Sequence, residues 1–281
     1  VRHASSKNLI ARAPVTVMSS MGAGYQVWAL KPGCQVHAIT CKVPNAEVGV
    51  FDQLLAKHEA FMRETHQPGG DSEPHAMVFT WCKSAGEEST LYGLHECYRG
   101  AKGCTEHLVV ASAKAPQLLE EFGAIVGKHA NSWVTFAPVI HTMKDSMVEG
   151  MAAVDSDKKM FQLHFNVDEG SDAEKEMDAF AADHAAFMEE THTPNGSGAE
   201  PSPLYFVWTK SAQFKDPFDP SKGSEPKVQF SLTEIYKGQE GCDAHMAAGQ
   251  ANAPLFARFQ AVVEKHSVAT CMMADVIRSM R

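Results

Sequence analysis

The chain has 281 residues, 44% hydrophobic and 21% charged, which suits a globular protein with two cores of ordinary size. Its formal net charge of −9 argues against nucleic acid as the main partner, because phosphate binding wants a basic face. No uninterrupted apolar run approaches the roughly 20 residues that span a bilayer, and the seven cysteines lack zinc spacing, so they read as free thiols in a reducing compartment.

Residues 1–34 are expected to form an N-terminal arm. Arg2, Lys7, Arg12, Lys31 and Lys42 all precede the first acidic residue, Glu47, and Ser and Ala are frequent near the start. This composition is similar to the remnant of an organelle transit sequence, which predicts a plastid or mitochondrial location, with the cytoplasm as the alternative. An arm draped over the surface would read the same way. A short strand is expected around Tyr25 to Leu30.

Gln35 opens an alternating strand that Pro44 and Asn45 end. A helix follows, with Phe51, Leu54, Leu55, His58, Phe61, Met62 and Thr65 on one stripe at helical spacing. His66 to Pro74 reads as a Gly- and Pro-containing loop, Met77 to Ser84 as a second strand and the run from Leu91 as a third. A helix from Ala101 to His129 should break near Pro116, which cannot continue the hydrogen-bond ladder. A fourth strand is expected around Val134 to Met143.

The whole unit then recurs. Glu96, Tyr98, Gly100, Gly103, Cys104, His107, Ala115 and Pro116 reappear at one fixed offset as Glu234, Tyr236, Gly238, Gly241, Cys242, His245, Ala253 and Pro254. The second first-strand begins at Met160, and its helix carries Met177, Phe180, Ala181, His184, Phe187, Met188 and Thr191 on one stripe. The loop from Ala212 to Lys227 is longer than its counterpart, and the last strand is expected around Met272 to Met280. Residues 35–143 and 160–281 are thus two copies, joined by a polar linker over 144–159.

Each copy reads β-α-β-β-α-β, the ferredoxin-like order of an α+β fold. Such a unit carries helices on one sheet face only, and the bare face must be covered. Two copies in one chain can cover each other, sheet to sheet, with the strands closing into a barrel of about eight.

Tyr92, Leu94, Glu96 and Tyr98 share one strand face, as do Phe230, Leu232, Glu234 and Tyr236. A carboxylate on such an apolar, aromatic face can have a raised pKa and act as a base, or it can simply pin the turn by hydrogen bonds. His58 and His184 lie in the apolar helix stripe and should be buried, pointing at their sheets. His107 and His245 begin the second helix on its inward face. These histidines are either proton-transfer groups in a pocket between sheet and helices or satisfied core residues. His58, His107 and Glu96, repeated as His184, His245 and Glu234, also have the residue types of a two-His-one-carboxylate metal site, without a local signature for one. Trp81 and Trp208 read as core or pocket wall. Gly69 and Gly70, or Gly196 and Gly198, could shape a lid.

The Glu-x-Tyr run, the Gly turn and a His nine places after the Tyr resemble the antibiotic biosynthesis monooxygenase domain, here as a tandem pair of dimeric α+β barrel units. The resemblance implies a cofactor-independent oxygenase acting on a planar hydrophobic molecule of the quinol or polyphenol type. His107 or His245 would then remove a phenolic proton, oriented by Glu96 or Glu234, with His58, His184, Trp81, Trp208, Tyr98 and Tyr236 around the ligand and no metal. The haem-degrading branch of the family fits poorly: Tyr98 and Tyr236 stand where it has Trp, Phe122 and Gln260 where it has a ligand His, and Leu163 near its first-strand Asn. His129 and His266 lie close to the ligand place without aligning with it. The alternative is a non-catalytic barrel that binds a hydrophobic ligand or pigment, or an assembly subunit of a larger complex.

Overall fold

The computed structural model describes residues 27–66, 74, 76–149 and 157–279. The arm over 1–26, the middle of the linker and Gly69 and Gly70 lie outside the described residues. The first copy supplies β2 (Gln35–Pro44), α1 (Val48–Thr65), β3 (Ala76–Ala85), β4 (Ser89–Tyr98), α2 (Ala101–Lys114), α3 (Pro116–His129) and β5 (Ala130–His141). The second supplies β7 (Lys159–Asp168), α4 (Asp172–Thr191), β8 (Tyr205–Phe214), β9 (Ser224–Tyr236), α5 (Gln239–Ala251), α6 (Ala253–His266) and β10 (Ser267–Ser279). A two-stranded ribbon of β1 (Val27–Ala29) with β6 (Met147–Glu149) stands apart, so the start of the polar linker carries a short strand.

Within each copy the strands pair in the ferredoxin-like order, β3-β4-β2-β5 and β8-β9-β7-β10. The two sheets then join at both edges. β5 pairs with β8, β10 pairs with β3, and all eight strands close into one antiparallel barrel. Closure leaves no unpaired edge in the barrel. It also buries both faces of the central strands β2, β4 and β7, one against the opposite sheet and one under the helices. For that reason β4 is buried at nearly every position although its sequence alternates only weakly.

The outward row of β4 (Tyr92, Leu94, Glu96, Tyr98) faces the helices, and the inward row contains Gly93, His95 and Cys97. The barrel interior is polar enough to tie the copies together. His95 Nε2 lies 2.8 Å from Tyr205 Oη and its Nδ1 3.0 Å from Thr233 Oγ1. Gln162 donates to the Leu94 carbonyl at 2.7 Å. Gly93 is where this side chain passes: a Cβ there would sit 2.1 Å from Gln162 Oε1 and 2.9 Å from Cys82 Sγ. Gly93→Ala is therefore expected to destabilise the protein by about 1–3 kcal/mol, the usual cost of overpacking, read as a lower denaturant midpoint at unchanged slope.

The helix stripes settle as the periodicity requires. Phe51, Leu54, Leu55, His58, Phe61 and Met62 are buried on α1, and Met177, Phe180, Ala181, His184, Phe187 and Met188 on α4. α4 is capped by Ser171, whose hydroxyl accepts from Glu174 N, while the Glu174 carboxylate reaches back to accept from Gly170 N just before the cap. The second helical stretch breaks at Pro116, with Ala115 pushed out of helical geometry (φ −139°, ψ 52°). β5 and β10 begin earlier than their sequence pattern suggests, directly after the helices, and each contains a bulge. The bulges hold Phe136 (φ 52°) and Met273 (φ 50°) in the left-handed region, a strained place for such side chains. The long loop expected over 212–227 is largely a hairpin, since β8 runs to Phe214 and β9 starts at Ser224.

Candidate active site

Each copy encloses a chamber between the outer sheet face and the helices. The first has a volume of about 50 Å³ and the second about 40 Å³. Strand β4 places Glu96 on its floor, α1 lowers His58 from above, and α2 brings His107 from the side. The second chamber repeats this with Glu234, His184 and His245. The histidine and carboxylate atoms of each trio lie within 4.8 Å of one another. Tyr98 and Tyr236 are fully buried and act on the carboxylates: each phenol donates to its Glu Oε2 at 2.8 Å. Trp81 and Trp208 are likewise buried and touch His58 and His184 from behind; neither they nor the two tyrosines line the chambers, so the expected place around the ligand is corrected to a supporting one.

Hydrogen-bond directions fix the protons. The indole Nε1–H of Trp81 can only donate, and it meets His58 Nδ1 at 3.3 Å, so neutral His58 carries its proton on Nε2. Trp208 imposes the same tautomer on His184 at 3.1 Å. The other histidine of each trio is held the opposite way. The Thr65 hydroxyl donates to the Phe61 carbonyl at 2.6 Å and so accepts from His66 Nδ1 at 2.7 Å. His66 Nε2 then accepts from His107 Nδ1 at 2.8 Å. His107 is left with a bare Nε2 lone pair facing Glu96. Thr191, His192 and His245 form the same chain, at 2.7 and 2.9 Å. Each trio thus offers one N–H donor (His58 or His184), one nitrogen acceptor (His107 or His245) and one carboxyl. ¹⁵N NMR of labelled protein at neutral pH should show His58 and His184 as Nε2–H tautomers and His66, His107, His192 and His245 as Nδ1–H. The reverse assignment for His58 would overturn the reading.

This pattern bears on metal binding. His107 would suit an ion, since a metal-ligating histidine normally donates its other ring N–H. His58 does not, because the indole occupies Nδ1 and forces a proton onto the nitrogen that would face the ion. The trio therefore fits a proton-handling site, and a resident divalent ion does not suit it.

Electrostatics push the same way. Burial raises the Glu96 carboxyl to about 7, against a smaller lowering by the Tyr98 hydrogen bond, and Glu234 behaves identically with Tyr236. Burial lowers His58 to about 3 and His245 to about 4, and takes His107 and His184 well below the usual range, helped by neighbouring histidines. Near pH 7 the histidines are neutral and the carboxyls titrate. Glu96 Oε1 and Glu234 Oε1 are buried with no hydrogen-bond partner. The nearest donors, His58 Nε2 and His184 Nε2, stand 3.5 and 3.6 Å away, beyond a settled hydrogen bond.

No family model and no curated protein matches the chain. Solved structures do. A crystal structure of an anthrone oxidase-like protein superposes with a TM-score of 0.51 at 11% identity, covering 91% of this chain and 96% of that one. A candidate monooxygenase of Fusobacterium nucleatum gives 0.49 at 10% identity, covering 90% of this chain and 96% of that one. The fold is that of the dimeric α+β barrel, built here within one chain. Among the described residues, no helix is long and apolar enough to cross a membrane.

Sequence reasoning missed four contributors. His66 and His192 orient the trio histidines from the helix ends; their repetition within the matching segments 58–66 and 184–192 was the available signal. Phe218 and Pro217 of the second copy line the first chamber, which no periodicity could show. The placing of Gln260 opposite Phe122 is corrected. His129 and His266 make equivalent contacts to Glu47 and Glu176, so the offset in this helix is one less, and Phe259 is the counterpart. Phe122 and Phe259 line their chambers, whereas Gln260 is exposed.

Proposed function

We propose that the protein is a cofactor-independent oxygenase of hydroxylated aromatic molecules, with one proton-abstraction site in each copy. The carrying observation is the partnerless, buried Glu96 Oε1, with Glu234 Oε1 as its repeat, set beside an N–H donor and a bare imidazole nitrogen in an apolar chamber. A phenolic hydroxyl completes that set. It donates to the carboxylate and accepts from His58 or His184 Nε2–H. Glu96 or Glu234 takes the proton, since its pKa near 7 matches the task. The His58 or His184 N–H then holds the phenolate oxygen, and His107 or His245 accepts a hydrogen bond from a neighbouring group. This reverses the division of labour suggested by the family resemblance, in which the histidine is the base, because burial weakens the histidines and strengthens the carboxyls as proton acceptors. The resulting electron-rich anion is the species that reacts with dioxygen. The anthrone oxidase-like protein of the same fold supports this choice of chemistry.

The size of the chambers favours a second reading. At about 50 and 40 Å³ they are smaller than the roughly 150 Å³ cavity known to hold benzene. A ring enters only if the aromatic rim yields, at Phe218 in the first chamber and Phe256 in the second. A rim that never yields would leave a non-catalytic barrel, serving as a ligand carrier or a subunit of a complex. Oxygen uptake with a panel of quinols and anthrones decides: consumption above the uncatalysed rate supports the oxygenase, and none with any substrate moves the binding reading to first place.

A further inference from the structure

The two chambers are not chemically equal. His37 and Phe161 occupy equivalent places, each directly opposite its glutamate across the strand pair. His37 lines the first chamber, is 5% exposed, and its Nε2 has no hydrogen-bond partner. Its ring lies 5.9 Å from that of His107 and 5.0 Å from Phe136 and is hydrogen-bonded to the Cys104 backbone, which holds the partnerless Nε2 next to the trio. Phe161 offers only hydrocarbon at that point. The rims differ too. The β8–β9 connection crosses to the first copy, where Phe218 packs edge-on against Trp133 at 4.9 Å. Asp216 stiffens the crossing, accepting from Phe218 N at 2.9 Å and pairing with Lys222 at 2.5 Å. The β3–β4 connection is too short to return the favour, and among the described residues the second chamber is lined by second-copy side chains.

We propose that His37 and Phe218 make the first chamber selective for aromatic rings with a second hydroxyl, while the second chamber has no such preference. This rests on the reading that both chambers bind hydroxylated rings, but it requires no turnover. A first hydroxyl meets Glu96 and His58, the second donates to His37 Nε2, and Phe218 closes over the ring. A site with a buried acceptor rejects a ligand that leaves it unpaired far more strongly than an apolar site discriminates by size.

Anaerobic titration calorimetry with a dihydroxynaphthalene and a naphthol tests this without oxygen chemistry. The wild type should resolve one site preferring the diol by at least about tenfold and one indifferent site. His37→Phe should erase the preference, and Phe161→His should create it in the second chamber, which keeps the test alive where the first variant folds poorly. Phe218→Ala should weaken both ligands at the first site only. Two wild-type sites with the same diol-to-naphthol ratio, a ratio unmoved by either exchange, or no saturable binding would each overturn the proposal. If diol selectivity is present but oxygen uptake is absent, the oxygenase reading fails and the selective site stands.

Discussion

Acidification from pH 6.5 towards 4 is expected to unfold the protein cooperatively. The cause is the set of buried neutral histidines. Burial lowers His58, His95, His164 and His192 to about 3 and His37 and His245 to about 4, with His107 and His184 also well below the usual range. Their native pKa values lie below the unfolded value of 6.5, so in this window the unfolded chain binds more protons. Their contribution is intact above 6.5 and is lost as the pH falls. Glu96 and Glu234 work in the opposite sense. Their pKa is raised from 4.5 to about 7, so they favour the fold at low pH and lose that contribution as the pH rises through this range. The histidines outnumber them. Eight histidines against two carboxyls leave a net excess of six groups; half of that excess would already cost about 4 kcal/mol per pH unit, and two units would exhaust most of the roughly 5–15 kcal/mol of a typical domain. Thermal melts in matched buffers from pH 7.5 to 4 are the measurement. A melting temperature unchanged between 6.5 and 4.5 would show that these imidazoles are not held neutral.

Much of this arrangement was legible in the sequence. The duplication, the β-α-β-β-α-β order and the helix stripes come from spacing, and they place His58, Glu96 and His107 around one chamber by geometry alone. The break at Pro116 follows from proline stereochemistry. What spacing could not show is contact across the barrel. His95 and His164 point into the interior, where Tyr205, Thr233 and Ser132 come from the opposite copy or a distant strand. Phe218 reaches the first chamber only because β5 pairs with β8. The role of His66 was hidden for a different reason: it ends a helix at the start of an apparent loop, and only the Thr65 and His107 contacts show it orienting the site. Proton positions were hidden as well, because they follow from the direction of one indole N–H rather than from residue type.

Glu96→Gln combined with Glu234→Gln is expected to reduce turnover of any quinol or anthrone that the wild type oxidises by on the order of 10²–10⁴, the usual contribution of a positioned base. The substitution is nearly isosteric and keeps an oxygen to accept from Tyr98 or Tyr236, so the fold should survive. The amide cannot take the proton. The pH profile separates this role from mere positioning. With carboxyls that titrate near 7, the wild-type rate should climb as the pH rises through 7 and level off above it, because only the ionised form is the base. The double glutamine variant should lose that limb along with the rate. His107→Ala with His245→Ala should lower the rate less and keep the limb, since those histidines only help to hold the hydroxyl. If the histidine variant instead removes all activity while the glutamine variant keeps most of it, the imidazole is the base after all, in the role the family resemblance gave it. Single variants assign the copies: loss confined to Glu96→Gln would place turnover in the chamber closed by Phe218, and loss confined to Glu234→Gln in the one rimmed by Phe256.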